Sequence, residues 1–216
     1  AGDGLNVFRL DDDHVGLYLL DVSGHGVAAA LLSVTLTRLL APAASQTSLL
    51  WLQQPGEHGY RILAPADVAR QLNAWLLANP SGEQYFTMFY GILHVRSRQL
   101  RFVSAAHPGL IHARPGTPPT SAAVPGFPIG LTEEADFEER VLQLQPGDRL
   151  YLFSDGLTEA LSPADEQFGE HRLEQSLFAV ANEPIERTPT RVLADVLRWT
   201  CDEPQDDLSL LSIAID

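Results

Sequence analysis

Three apolar runs in this chain meet aspartate at their ends. Leu17-Tyr-Leu-Leu breaks off at Asp21, Leu150-Tyr-Leu-Phe-Ser at Asp155, and Asp206-Asp207 opens Leu208-Ser-Leu-Leu-Ser-Ile-Ala-Ile215. Short apolar runs rich in Leu, Tyr and Phe read as buried strands, so the fold has to carry carboxylates at the mouths of such strands. A carboxylate loses much free energy on leaving water unless a positive group meets it. The chain has no lysine, all fourteen basic residues are arginine, and few of them stand beside these acids. A divalent metal is the cation that this pattern lacks.

Bulk properties narrow the classes. With 216 residues and 45% hydrophobic content the chain folds; we read 1–216 as a single domain with a substantial core. A net charge of −14 argues against binding to nucleic acid, whose phosphates require a basic surface. The single cysteine, Cys201, excludes an intrachain disulfide and a thiolate zinc cage. It is compatible with a reducing compartment, and the expected location is cytoplasmic. No run of about 18 apolar residues predicts a membrane span, and the first residues carry no secretory pattern. Ala1-Gly2-Asp3-Gly4 leads straight into a strand-like segment, as in a domain cut from a longer regulatory protein.

Along the chain, Leu5–Leu10 and Val15–Val22 read as strands joined by the turn Asp11-Asp12-Asp13. Val27–Leu40 is apolar all round and predicts a buried helix, stopped by Pro42. Residues 42–64 read as a connector with at most one helical turn. A second helix starts at Pro65 and places Val68, Leu72, Trp75, Leu76 and Ala78 on one side. Strands then dominate: 86–95, 99–106, 110–113, 137–144 and 149–153, with helices over 171–181 and 189–200 before a last strand at 208–215. Many antiparallel strands interrupted by paired helices predict an α/β (α+β) fold of two mainly antiparallel sheets enclosed by helical layers.

The segment Asp21-Val-Ser-Gly-His-Gly26 carries the strongest local signal. Its glycines let backbone approach a ligand closely, and the Val22 carbonyl, beyond the ladder, is placed to coordinate. If 5–10 and 15–22 pair through the 11–13 turn, Asp3 and Asp21 share one end of the hairpin. Asp155 and Asp206 then offer oxygen from two other strands. Oxygen ligands suit Mg²⁺ or Mn²⁺. Two such ions about 3.5–4 Å apart bridge a hydroxide and polarise a phosphoryl oxygen.

Several motifs occur in a fixed order: Gly2-Asp3, Asp21-Val-Ser-Gly-His-Gly26, Phe86-Thr-Met-Phe-Tyr-Gly91, Ala105-Ala-His-Pro108, Pro128-Ile-Gly-Leu131, Ser154-Asp-Gly156 and Asp206-Asp207. This series resembles the metal-dependent protein phosphatases (protein phosphatase 2C-like), and within them the bacterial SpoIIE/RsbU branch. The resemblance spans essentially the whole chain. It implies an α-β-β-α sandwich, two Mn²⁺ or Mg²⁺ ions, and hydrolysis of phosphoserine or phosphothreonine in a protein. Asp21 and Asp155 become the catalytic acids. Asp21 bridges the metals with help from the Val22 carbonyl, Asp155 and Asp206 hold the second ion, and Asp3 stands on the other side. Alternation along a regular strand lets only one of Asp206 and Asp207 face a metal, and the resemblance assigns Asp206. It further implies a phosphorylated partner in a sigma-factor pathway, such as an anti-sigma-factor antagonist, and attachment as the output domain of a response regulator.

Departures from the family pattern are Ala1 for a glycine, Asn6 for an acid, and Ala106 for the glycine of Ala-Gly-His-Pro. The first two favour a second reading, a phosphatase-fold adaptor without activity that binds a sigma factor or a related partner. The apolar helices also leave room for a homodimer. Other residues take plainer readings. Ser23 is expected to cap the helix that follows, since no oriented base makes it a nucleophile. His25 is structural or lies near substrate, and His107 makes a strand-end hydrogen bond. Ser154 supports the Asp155 turn; Trp51 and Trp75 pack, unless an exposed Trp51 contacts a partner; Arg149 is exposed or ion-paired, the alternative being that it holds substrate phosphate.

Overall fold

The computed structural model describes residues 2–24, 26–45, 47–53, 59–79, 84–122, 126–201 and 206–216. The chain divides into two compact units, one of Ala1–His107 with Val124–Gln143, the other of Pro108–Ala123 with Leu144–Asp216.

In the first unit, strands β1 (Gly4–Arg9) and β2 (His14–Val22) form the expected hairpin. With β5 (Phe86–His94), β6 (Gln99–Ala105) and β9 (Arg140–Gln143) they make a five-stranded antiparallel sheet in the order β1-β2-β5-β6-β9. Alternate side chains of the central strands, among them Tyr18, Leu20, Val22, Phe86, Met88 and Tyr90, pack against two helices. These are α1 (Val27–Leu39) and α2 (Pro65–Ala78). Proline opens α2 because its missing N–H is not needed in the first turn.

Four expectations for this unit are corrected. Helix α1 buries Ala29, Leu32 and Leu36, but Val27, Leu31 and Val34 are exposed at 77%, 63% and 62%. An apolar composition all round therefore does not bury the helix; the sheet covers only one side. The 42–64 connector contains a two-stranded ribbon, β3 (Trp51–Gln53) with β4 (Tyr60–Ile62). Trp51 opposes Ile62, and both pack on the core, so aromatic and β-branched side chains turn the segment into strand. In α2, Ala78 is exposed and Asn73 is buried. Asn73 accepts the Gly130 N–H (2.7 Å) and donates to the Thr132 carbonyl (3.0 Å), fixing the 129–132 turn. The predicted strand over 137–144 shortens to β9, with Phe137 buried as an anchor.

In the second unit, β7 (Leu110–Ala113), β8 (Thr120–Ser121), β10 (Arg149–Phe153) and β11 (Leu210–Ala214) form an antiparallel sheet ordered β11-β10-β7-β8. Ile111, Ala113, Tyr151 and Phe153 face helices α3 (Asp155–Glu159), α4 (Gly169–Ala179) and α5 (Thr188–Thr200) through Leu157, Leu173, Leu177, Val192 and Val196. The sequence did not announce α3, which is only one turn long. A buried pair, His112 Nε2 with Asp148 Oδ2 at 2.8 Å, ties β7 to the turn before β10. Two antiparallel sheets flanked by helices thus stand as expected, unit by unit. No helix among the described residues is long and apolar enough to cross a membrane.

Candidate metal centre

The β1–β2 register sets Gly4 opposite Leu20; carried one step further it sets Asp3 opposite Asp21. On its other side Asp21 opposes Thr87 of β5. Thr87 Oγ1 lies 3.1 Å from Nδ1 of the buried His107, which makes the strand-end hydrogen bond expected of it.

Phe86 gives both its backbone groups to Ile129. Val22, opposite Phe86, therefore makes no ladder bond to β5, and its carbonyl turns toward Gly2. A β-carbon at Gly2 would lie 2.9 Å from that carbonyl oxygen and 3.0 Å from Asp21 Oδ1. Glycine leaves open the ground shared by two oxygen donors.

Ser23 does not cap α1. Its N–H donates to the Tyr85 carbonyl (2.9 Å) and its hydroxyl accepts the Tyr85 N–H (3.0 Å), so the residue extends the strand pairing. Gly26, at φ 90°, occupies the cap position without a side-chain bond. His25 lies outside the described residues.

In the second unit, β10 ends at Phe153 and Asp155 begins α3. Ser154 is fully buried; its hydroxyl donates to the Asp207 carbonyl (3.1 Å) and accepts the Ser209 N–H (3.0 Å). The Ser154 N–H returns a bond to the Ser209 carbonyl (3.0 Å). Ser154 thus supports the Asp155 turn by lashing it to the 207–209 segment. A β-carbon at Gly156 would lie 2.3 Å from the Asp207 carbonyl oxygen, so glycine is what lets the two segments close.

Strand β11 begins only at Leu210. Strand alternation therefore does not decide between Asp206 and Asp207, contrary to the sequence argument. In the loop, the Asp207 carbonyl accepts from Ser154, and the Asp206 carboxylate accepts the Asp207 N–H at 2.8 Å and acts on Asp155. Burial, and then the negative charge of Asp206, push the Asp155 carboxyl above the ordinary carboxylate range. Neither Asp155 nor Asp206 has an arginine or histidine partner among the described residues. Arg149 makes no ion pair among the described residues; its guanidinium donates to the Val180 and Glu183 carbonyls beyond α4.

Two groups of hard oxygen donors result: a carboxylate beside a carbonyl in the first unit, and Asp155 in the field of Asp206 in the second. Among the described residues no three His, Cys, Asp or Glu side chains gather into a metal-holding cluster. The donor chemistry nevertheless fits divalent cations, because oxygen-only, anionic sets without a protein cation are what Mg²⁺ and Mn²⁺ select.

This mixed α/β arrangement of antiparallel sheets and helices matches the PP2C-like phosphatase fold. The PP2C phosphatase domain of SpoIIE from Bacillus subtilis, solved with a fragment of its regulatory domain, superposes with a TM-score of 0.78 at 21% identity, over 100% of this chain and 58% of that one. Residues 11–216 match the family described as Stage II sporulation protein E (SpoIIE), and the chain belongs to that family. The phosphoserine phosphatase RsbU of Bacillus subtilis is 26% identical over 153 residues, covering 70% of this chain. The chain spans 41% of the length of that relative. The RsbU and RsbW domains of Rv1364c from Mycobacterium tuberculosis superpose with a TM-score of 0.75 at 25% identity, over 98% of this chain and 54% of that one.

Proposed function

We propose that this chain is a metal-dependent serine/threonine protein phosphatase domain. The observation that carries the reading is Asp155, half-buried in the field of Asp206, with no arginine or histidine partner for either acid among the described residues. Asp21 with the Val22 carbonyl, helped by Asp3, and Asp155 with Asp206 are the groups that would hold two Mn²⁺ or Mg²⁺ ions. Asp207 serves through its backbone. The ions supply Lewis-acid charge and a water of lowered pKa. The chain's own part is to fix the donors and to keep competing nucleophiles engaged. The Ser23 hydroxyl is bound to Tyr85 and the Ser154 hydroxyl to the 207–209 segment, which is in keeping with hydrolysis by water without a phosphoenzyme.

The substrate class is a phosphoserine or phosphothreonine protein of a sigma-factor pathway, in keeping with the RsbU likeness. We further propose that 1–216 acts as one cytoplasmic output domain of a longer response regulator, and that it pairs as a homodimer. The test is phosphate release from a phosphoserine peptide with and without Mn²⁺. Activity that requires metal and disappears in Asp21→Ala and Asp155→Ala supports the reading; activity retained in both variants overturns it.

Asn6 favours the second reading, an inactive adaptor. It stands on β1 opposite Tyr18 and hydrogen-bonds that residue's hydroxyl together with Thr37, a packing role where the family places an acid. A folded chain that takes up no Mn²⁺ at millimolar concentration would select the adaptor.

A further inference from the structure

At the end of the first unit's sheet away from Asp3 and Asp21, a cleft of about 690 Å³ opens between the 11–14 turn, the 94–99 turn and the β3–β4 ribbon. Its size suits a small organic molecule, since such sites run from roughly 300 to 1,000 Å³. Strand rise puts His14 about 23 Å from Asp21 along β2, so the cleft is independent of the proposed metal centre and does not rest on the phosphatase reading.

The cleft's polar groups are unevenly committed. Asp11, the only acid among its described lining residues, is saturated: Oδ1 accepts the Asp13 and His14 N–H groups, each at 2.8 Å, and His14 Nδ1 lies 2.8 and 3.0 Å from the two oxygens. Arg101 is paired with Glu139 at 2.7 Å. His94 Nδ1 accepts the Ser97 N–H (3.1 Å) and faces the Ser97 hydroxyl (2.7 Å), which leaves the ring proton on Nε2 as a donor. The guanidinium of Arg61, the amide of Gln99 and the hydroxyl of Tyr60 line the cleft and make no side-chain bond or ion pair among the described residues. The uncommitted groups are thus mostly donors, and one is a full positive charge. Arg61 balances the Asp11 charge and Arg101 is balanced by Glu139, so in a chain of net charge −14 the cleft is locally near neutral and its uncommitted donors can meet an anion without the repulsion found elsewhere. The wall beside them is apolar: Trp51, its indole N–H fixed on the Pro42 carbonyl at 3.1 Å, with Ile62, Leu63 and Ile92.

We propose that this cleft binds a small aromatic oxyanion, its ring on the Trp51 wall and its carboxylate or phosphate toward Arg61, Gln99 and His94. The test is calorimetric titration of the whole chain, in EDTA, with 2-naphthoate. The expected result is one saturable site with a Kd below about 1 mM, weakened at least roughly tenfold by Arg61→Glu and by Gln99→Leu. 2-Naphthalenemethanol, with the same ring and no charge, is expected to bind at least roughly tenfold more weakly. Competition by 2-naphthyl phosphate extends the site to phosphates, and failure to compete restricts it to carboxylates. Arg61 is exposed and Gln99 half-buried, and circular dichroism checks that both variants fold. Absence of saturable binding, equal affinity for the alcohol, or a Kd unmoved by both substitutions overturns the proposal.

Discussion

At Gly156 a single hydrogen decides whether two segments meet. A methyl there would sit 2.3 Å from the Asp207 carbonyl, and the neighbouring atom is backbone, which yields poorly. Gly156→Ala is therefore expected to cost about 1–3 kcal/mol, as forced overpacking does, and to disturb the Ser154–Ser209 bonds; urea unfolding measures it. Asp155 gives the second residue-scale prediction. Its folded pKa is raised by burial first and Asp206 second. The folded chain thus binds this proton more tightly than the unfolded chain does. The stability from this group is full below the ordinary aspartate pKa and is lost as pH rises through the raised value. Asp155→Asn should remove that slope from metal-free unfolding measured across pH. Added Mn²⁺ should oppose the slope in the native chain, because binding to an ionised carboxylate releases the proton.

At the scale of elements, helix α1 shows what sequence leaves open. Its composition gives helix correctly, but not which side is covered. Leu31→Gln, on the exposed side, is expected to change stability by less than about 0.5 kcal/mol. Leu36→Ala, fully buried, should cost about 2–5 kcal/mol. Equal effects in thermal unfolding would return α1 to the all-round burial read from its sequence. The hairpins β1–β2 and β5–β6 were legible because apolar runs of strand length end in turn residues, although β2 and β5 are buried on both faces in their middles. The β3–β4 ribbon was not, because three-residue strands carry too little pattern. What holds them is Trp51 and Ile62 on a core built by distant segments. Ser23 was misread for a related reason: serine before a helix is a good cap locally, yet Tyr85, 62 positions away, takes its hydroxyl.

For the molecule as a whole, charge is the governing quantity. At −14 the folded chain repels itself, and salt screens that repulsion as the Debye length falls from about 30 Å at 0.01 M to 8 Å at 0.15 M. The metal-free melting temperature should therefore rise with NaCl. MgCl₂ at equal ionic strength should raise it further if the acids hold the ion, through preferential binding to the native state. Identical rises with the two salts would remove the specific site. Sequence alone determined the strand-ending aspartates, the order of the motifs and the family that order resembles, because these are properties of residue type and spacing. Only the tertiary structure could bring Asp206 to act on Asp155, engage Ser23 with Tyr85, seat Arg149 on carbonyls beyond α4, and open the cleft beside Trp51. Each of those depends on contacts between residues far apart in the chain, and local spacing carries no record of which distant atom fills a hydrogen bond or leaves a space.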